Sequence, residues 1–361
     1  MSETALDLRR IRSAQVPMPC PELAPTLNFF LQQLGFRVRA IFPADAPRTA
    51  IIEGHGLTLQ LYQADEPGPR LLQLLCDDPD AVAQGQREWQ APNGVTVRLV
   101  HADPPMVLPP TRQALVISRA DGQTAWGVGR AGMRYRDLLP ERHGGAFIAS
   151  HIRILEGGPV PDYVHYHKVR FQLIYCRRGW VRLVYEGQGE PFVMQAGDAV
   201  LQPPLIRHRV LESSAMAEVV EIGAPAQHIT MADPDMVLPS APLPSDHDFS
   251  GQRFVRHVAE GAAWQAWRVA GVEARDTGIA HATQGLATVR VLRVRGPVAD
   301  TAQVLDSEFC CFFVLTGALT VTVQGQTHQL RADDCITLPG QTPFRLQPSA
   351  DAELLEVMLP A

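Results

Sequence analysis

The sequence predicts a mostly β protein in which a small α+β domain precedes two tandem jelly-roll barrels. With 361 residues, the chain is long enough for two or three domains that each have their own core. Its 30 prolines and 28 glycines indicate many short turns, which suit short strands better than long helices. Two β-rich regions also repeat each other's sequence, and this duplication predicts one barrel for each region.

The strand candidates of both regions are short, rich in β-branched and aromatic residues, and separated by Gly or Pro turns, as in a barrel or jelly roll. The first region begins near Gly144, with candidates at residues 147–154, 171–176, 180–185, 199–202, 208–212 and 218–222. The second has them at residues 287–293, 309–316, 318–323, 335–338 and 353–358. The repeat aligns Gly179 with Gly317, Asp198 with Asp334 and Pro203 with Pro339.

A helix with one apolar face is predicted near the N-terminus. Its apolar residues recur at helical spacing, at Leu23, Leu27, Phe30, Leu31 and Leu34. Gly35 follows as a C-terminal stop, and strand candidates come next at residues 36–42, 49–53 and 57–62. This β-α-β-β-β order, with the run TLNFFLQQLGFRV, resembles one module of the vicinal oxygen chelate (glyoxalase-like) fold.

A second, weaker module of this kind is predicted from Leu71 to His101. The resemblance implies metal binding through His and Glu side chains on strands. His55, however, lies in the turn-like run EGHG, and no convincing set of partners accompanies it. The N-terminal domain is therefore predicted to be structural, serving packing or dimerisation.

Two proline-rich stretches divide the chain, DPPMVLPP at residues 103–110 and LPSAPLPSD at residues 238–246, and both are interpreted as linkers. The predicted organisation is a glyoxalase-like α+β domain at 1–102, a linker and connecting segment at 103–143, a metal-binding barrel at 144–237, a second linker at 238–250 and a degenerate barrel at 251–361.

A pair of histidines separated by one residue is the main chemical motif of the first barrel. Side chains two apart on a strand point to the same face, so His165 and His167 project together. His208, from a strand distant in sequence, can complete a facial triad of ligands and leave other positions on a metal ion open. Tyr163 shares the face of the pair and is a candidate for orienting a substrate or bound oxygen.

The order of these residues resembles the cupin motif, and the duplication resembles the bicupins. The matching features are His165, His167, Gly179, the turn 196–198, Pro203-Pro204 and His208. Many cupins have glutamate where this chain has Gln172. A neutral glutamine would leave the charge of a divalent ion uncompensated, strengthening its Lewis acidity and attracting anionic chelating groups. Gln172 could bind the metal through its amide oxygen, hold a water, or simply be a hydrogen-bonding barrel residue.

The second barrel lacks such a site. The repeat places Gln303 and Leu305 opposite His165 and His167, Cys310 opposite Gln172, and Phe344 opposite His208. Leucine and phenylalanine have no donor atom for a metal ion. The second barrel is therefore predicted to be structural or to form a dry binding pocket.

The three-histidine pattern resembles the iron sites of cupin dioxygenases that act on cysteine, gentisate or β-diketones. The leading hypothesis is an enzyme with one metal ion, iron(II), that cleaves a small organic acid or diketone oxidatively. A non-redox isomerase or lyase using Zn²⁺, Ni²⁺ or Mn²⁺ is the alternative within enzymes. A non-catalytic metabolite-binding or sensor bicupin is the rival class.

Composition and charge restrict the partners and the compartment. A formal net charge of −6 argues against nucleic-acid binding, and no apolar run reaches the length of a membrane span. The segment 1–13 is too polar for a signal peptide, and six cysteines without a CxxC spacing are interpreted as reduced thiols in the cytoplasm. The expected partners are a small anionic substrate and a second copy in a homodimer, because barrel edge strands need covering.

Overall fold

The computed structural model divides the chain into two units, Met1–Pro105 and Met106–Ala361. The residues that it describes are 15–42, 48–65, 68–121, 126–128, 133–233 and 235–361. The polar segment 1–13, whose composition argues against a signal peptide, lies outside the described residues.

The N-terminal unit has the element order β-α-β-β-β followed by β-α-β-β. The elements are β1 (Val16–Cys20), α1 (Leu23–Gln32), β2 (Arg37–Phe42), β3 (Thr49–Gly54), β4 (Leu57–Gln63), β5 (Leu71–Cys76), α2 (Pro79–Ala83), β6 (Glu88–Gln90) and β7 (Thr96–His101). One sheet has the order β1-β4-β3-β2, with β1 parallel to β4. The other has the order β5-β7-β6, with β5 parallel to β7.

Helix α1 packs its apolar face onto the core of this unit. Leu23 and Phe30 are buried, and Leu27 and Leu31 pack against the same core while partly exposed. The helix ends at Gln32, slightly before the predicted end, and Gly35 has a φ of +70°. Because glycine has no Cβ, it adopts this left-handed conformation easily and lets the chain turn into β2.

The strands of the first barrel form two opposed sheets. Strand β8 (Val116–Ser118) comes before them in the chain and belongs to a sheet of the second barrel. The strands of the first barrel are β9 (Gly127–Val128), β10 (Arg134–Asp137), β11 (Ile148–Ile154), β12 (Gly158–Pro159), β13 (His165–His167), β14 (Phe171–Arg178), β15 (Trp180–Tyr185), β16 (Phe192–Gln195), β17 (Ala199–Leu201), β18 (His208–Ser213), β19 (Ala217–Ala224), β20 (Thr230–Ala232) and β21 (Val255–His257). The sheet orders are β21-β17-β14-β19-β11-β10-β9 and β16-β15-β18-β13-β20, with β12 pairing β18. A short turn at Arg142–Gly145, whose residues have positive φ, precedes β11.

The second barrel repeats this plan with fewer strands. Its elements are β22 (Gln265–Ala266), β23 (Val272–Asp276), α3 (Ile279–Ala282), β24 (Thr288–Val294), β25 (Ser307–Thr316), β26 (Ala318–Val323), β27 (Gln326–Arg331), β28 (Cys335–Thr337), β29 (Phe344–Pro348) and β30 (Glu353–Pro360). The sheet orders are β22-β23-β24-β30-β25-β28-β8 and β27-β26-β29.

The two barrels exchange edge strands. Strand β8, which precedes the first barrel in sequence, pairs with β28 of the second. Strand β21, which follows the second proline-rich stretch, pairs with β17 of the first. Each large sheet is thus extended by a strand from the segment that leads into the other barrel, and this exchange covers an edge on both sides.

Alternation along β14 and β19 separates the barrel interior from the interface between barrels. Phe171, Leu173 and Tyr175 belong to a core shared by the large sheets of both barrels. Gln172 and Ile174, on the opposite face, line the interior of the first barrel. The polar side chain of Gln172 is therefore buried among apolar neighbours, where a polar group without a partner is costly.

The prediction of a mostly β chain is confirmed. All six cysteines are free thiols. Among the described residues, no helix has both the length and the apolar character needed to cross a membrane.

Candidate metal centre

Three histidines converge inside the first barrel. His165 and His167 lie on β13 with their side chains on one face, and His208 begins β18 directly opposite His165 in the antiparallel register. The ring centroids are 4.2 Å apart for His165 and His208, 5.1 Å for His165 and His167, and 5.2 Å for His167 and His208. One nitrogen of each ring lies within 4.8 Å of the others, and all three residues are buried.

Hydrogen bonds to the backbone orient two of the imidazoles. Nδ1 of His165 lies 2.8 Å from the carbonyl oxygen of Tyr163, and Nδ1 of His208 lies 3.0 Å from that of Ile206. A carbonyl only accepts, so both Nδ1 atoms carry the hydrogen and both Nε2 atoms offer a lone pair. Metal-ligating histidines are typically oriented in this way through their second nitrogen.

The donor set fits a divalent transition metal. His167 completes the group, with its Nδ1 held 3.0 Å from the hydroxyl of Thr230. Three neutral imidazoles suit iron, zinc, nickel or copper better than magnesium or calcium, which prefer oxygen ligands. The buried carboxylate of Asp162 lies 3.7 Å from Nδ1 of His165, on the side of the ring that donates.

A chain of side-chain hydrogen bonds leads away from His208. Nε2 of Gln202 donates to Nε2 of His208 at 2.8 Å and to Oε1 of Gln172 at 3.4 Å. Tyr185 donates its hydroxyl to Oε1 of Gln202 at 3.2 Å, and burial raises the pKa of this phenol. At the other end, Nε2 of Gln172 donates to Oε1 of Glu221 at 2.6 Å. Every member of this chain lines one cavity.

The cavity has an apolar wall with polar groups gathered at the histidines. Its volume is about 80 Å³, which is room for a few water molecules or a small organic group. Its apolar lining residues are Met133, Ile152, Ile154, Ile174, Val181, Leu183, Met194, Val210 and Val219. Among the described lining residues, Glu221 brings a carboxylate, and none is lysine or arginine.

Of the two further residues predicted for the site, Gln172 and Tyr163, only the first lines this cavity. Gln172 is 2% exposed and lies within the hydrogen-bonded chain. The side chain of Tyr163 is 48% exposed, and its ring packs edge-on against His165 at 5.8 Å. Because Tyr163 precedes the first residue of β13, the alternation of that strand does not direct its side chain inward.

The carboxylate of Glu221 changes the charge expected for the site. From sequence, three imidazoles and a neutral Gln172 would leave the charge of a divalent ion uncompensated. Glu221 contacts Gln172 directly and adds a negative group to the same cavity. Its only sequence signal is position, since it is an acidic residue at an inward-facing place on the strand AEVVEIGA.

Sequence reasoning also missed Gln202, Tyr185 and His228. The His228 ring lies 5.3 Å from that of His167, nearly perpendicular to it, with Nδ1 held by the carbonyl of Pro225 at 3.0 Å. His228 comes from the loop before β20, and its distance in sequence from the HxH pair hides this contact.

In the second barrel, an arginine lies beside the residues that match the metal-site histidines of the first barrel. Gln303 and Phe344 form an antiparallel bridge, as His165 and His208 do in the first barrel. Nε of Arg268 donates to Oε1 of Gln303 at 2.6 Å, and its Nη1 lies 2.6 Å from the fully buried Glu356. An internal ion pair thus lies in the second barrel beside the residues that match the histidines of the first.

A second cluster of potential ligands lies between the barrels, but it is already neutralised. It comprises His151, Glu218 and Asp333. Arg153 donates to Glu218 at 2.8 Å, and Arg177 donates to Asp333 at 2.9 Å. Burial alone would raise the pKa of Glu218, but the hydrogen bonds and charges of His151 and Arg153 lower it to about 2. These guanidinium groups would repel a metal ion, so the cluster is a structural ion network.

Solved structures with similar backbones support the barrel architecture. A variant of salicylate 1,2-dioxygenase from Pseudoaminobacter salicylatoxidans has a TM-score of 0.51 and 18% identity, over 70% of this chain and 86% of that chain. Its gentisate complex has a TM-score of 0.51 and 17% identity, over 70% and 83%. The formate complex of Lactobacillus farciminis oxalate decarboxylase has a TM-score of 0.52 and 11% identity, over 68% and 86%.

No protein-family model and no curated protein matches the chain. At identities below one fifth, the structural likeness concerns the fold alone. The chain therefore shares the duplicated cupin fold that its sequence motifs predicted.

Proposed function

We propose that the first barrel is the metal centre of a mononuclear cupin enzyme, an iron(II) dioxygenase that cleaves a small organic acid or diketone. The observation that carries this proposal is the convergence of His165, His167 and His208, whose donor nitrogens lie within 4.8 Å of one another. The fold is similar to that of salicylate 1,2-dioxygenase, so the same architecture can carry this class of reaction.

The residues of the site would have distinct tasks. The three histidines would hold the ion, and bound iron(II) would supply the redox chemistry. The apolar wall of the cavity would take the carbon skeleton of the substrate and exclude bulk water. Gln172 would face the reacting groups from β14. Tyr163, partly exposed beside His165, is the candidate for contacting a substrate at the edge of the site.

A non-redox isomerase or lyase is the second candidate, with Zn²⁺, Ni²⁺ or Mn²⁺ as a Lewis acid. The observation that favours it is Glu221, a carboxylate in the cavity wall that could accept a proton from a substrate. The fold is also similar to that of oxalate decarboxylase, so the same architecture can carry a lyase reaction. The two candidates differ in their need for oxygen.

The remaining properties follow from the same proposal. The small cavity favours a small-molecule substrate carrying an anionic chelating group, with no role for nucleic acid or membrane. The β-α-β-β-β order of the N-terminal unit supports a vicinal oxygen chelate-like domain that serves packing or dimerisation. We also propose a homodimer that acts in the cytoplasm, where six free thiols would stay reduced.

Elemental analysis of the untagged full chain tests the metal site. We expect about one transition-metal ion per chain in the native protein and a large loss in His165→Ala, because two imidazoles bind a first-row metal far less tightly than three. His281→Ala is the matched control, since His281 is exposed on α3 in the other barrel. Loss of metal in both variants, or in neither, contradicts the assignment.

Oxygen consumption separates the two candidate reactions. The iron-loaded chain should consume oxygen with at least one aromatic acid, thiol or diketone from a substrate panel. Turnover that continues without oxygen would favour the isomerase or lyase. Stoichiometric metal with no turnover under either condition, together with metabolite binding that His167→Ala leaves unchanged, would favour a non-catalytic sensor.

A further inference from the structure

The side-chain amide of Gln172 has two orientations of nearly equal shape, and they have opposite chemistry at a cation site. With Oε1 toward the histidines, Gln172 offers a lone pair to a positive ion. With Nε2 in that place, it would present N–H groups, which repel one. What fixes the orientation therefore decides whether Gln172 can assist metal binding.

Glu221 fixes the orientation of the Gln172 amide in this structure. Its Oε1 lies 2.6 Å from Nε2 of Gln172, and a carboxylate can only accept a hydrogen bond. Reversing the Gln172 amide would bring two acceptor oxygens together there. It would also place the NH₂ group of Gln172 against the NH₂ group of Gln202. One reversal thus creates two unfavourable contacts at the buried side chain of Gln172, where unsatisfied polar groups are costly.

The orientation directs two lone pairs toward a common point. The NH₂ group of Gln202 donates both to Oε1 of Gln172 and to Nε2 of His208. A group with positive character therefore already lies between these two acceptors. The same two lone pairs are available to a cation that replaces the Gln202 amide.

The sequence repeat provides an internal comparison. Gln172 pairs with Gly223 in the first barrel, and Cys310 pairs with Met358 in the second. Glu221 and Glu356 each stand two residues before the second member of their pair, so they are equivalent. Glu356 holds the guanidinium of Arg268 at 2.6 Å. In the described lining of the first cavity no lysine or arginine takes that role.

We propose that Glu221 is a positioning residue that holds the amide oxygen of Gln172 toward His208, so that the Glu221–Gln172 pair assists the three histidines in binding a divalent metal. This inference rests on the proposed metal site. It assigns to two residues together the task that a single acidic side chain would otherwise perform: Gln172 would offer its amide oxygen, and Glu221 would place a negative charge one hydrogen bond away from that amide.

Titration of the metal-free full chain with Co²⁺ tests the pair, with the visible absorption of bound cobalt as the readout. Glu221→Gln keeps the size of the side chain but removes the obligate acceptor, so both orientations of the Gln172 amide become available. We expect Co²⁺ to bind about 10- to 100-fold more weakly, as is typical when a partner of a metal ligand is changed, with an altered cobalt spectrum. Glu212→Gln, which removes a half-buried acidic charge on β18 that is paired with Arg182, should leave both unchanged.

Two further variants separate positioning from simple charge. In a Gln172→Ala background, Glu221→Gln should change the affinity for Co²⁺ by less than about threefold, because no amide remains to be oriented. The exchanged pair, Gln172→Glu with Glu221→Gln, should recover most of the affinity, because an amide now holds a carboxylate ligand. This exchange also serves as the test if the single variant is poorly folded.

The outcomes distinguish this inference from the proposed function. If native protein and Glu221→Gln bind Co²⁺ equally while His165→Ala does not bind it, the positioning role is wrong and the metal site stands. If Glu221→Gln weakens Co²⁺ binding equally with and without Gln172, then Glu221 acts only through its charge and does not position the amide. Failure of the native chain to bind Co²⁺ saturably would overturn both proposals.

Discussion

Replacing Glu218 with glutamine should weaken the junction between the two barrels. Glu218 is 4% exposed and accepts from Nε2 of His151 at 3.0 Å and from Arg153 at 2.8 Å. The ring of His151 packs edge-on against Phe313 of the second barrel at 5.5 Å. The carboxylate therefore holds a histidine of the first barrel that packs against the second barrel.

The pKa of Glu218 sets the size and the pH dependence of the effect. Its pKa falls from an ordinary value near 4.5 to about 2, a difference worth about 3 kcal/mol of folding stability at neutral pH. Because the pKa is lower in the folded state, this contribution is complete above the unfolded value. It is lost as the pH falls from about 4.5 to about 2, and about 1 kcal/mol remains at pH 3.

Urea unfolding at pH 7 and pH 3 measures this contribution. Tryptophan fluorescence is a suitable probe, because Trp126 packs 5.3 Å from His151 and lies under the guanidinium of Arg153. Glu218→Gln should lower the unfolding free energy by about 3 kcal/mol at pH 7 and by clearly less at pH 3. Glu212→Gln, which breaks a partly exposed ion pair with Arg182, should cost less than about 1 kcal/mol. A loss from Glu218→Gln that is equal at both pH values would refute the reasoning.

Two further predictions concern the second barrel and the thiols. Arg268→Met should destabilise the protein by about 3 kcal/mol or more in thermal unfolding, because it leaves the buried Glu356 without its closest cation; a loss below about 1 kcal/mol would contradict the importance of this pair. Iodoacetamide should modify the partly exposed Cys76 well before Cys176 and Cys310, because burial raises the pKa of Cys176 to about 12 and that of Cys310 further; mass spectrometry showing equal rates would count against this.

Much of the architecture could be predicted from sequence because it depends on local patterns. Alternation and turn residues indicate strands, and the repeat between the two β-rich regions indicates a pair of similar folds. The HxH spacing predicts that His165 and His167 share a face, and they do. The apolar spacing of the N-terminal helix likewise indicates which side packs inward, although the helix ends slightly earlier than expected.

Alternation was less informative where the strand was short. Strand β13 has only three residues, so the prediction of a shared face for Tyr163 extended the pattern beyond the strand's first residue. The side chain of Tyr163 is instead 48% exposed, and its carbonyl oxygen accepts the hydrogen bond from His165. Every residue has a backbone carbonyl, so the sequence could not indicate that this one would contact His165.

The sequence by itself determined the strand-rich composition, the duplication and the candidate ligands, because these depend on residue type and spacing. Only the tertiary structure decided that β8 and β21 are exchanged between barrels and that Glu221 faces Gln172. Both are contacts between segments far apart in sequence. Their pairing depends on how the sheets close, and no local pattern along the chain encodes that closure.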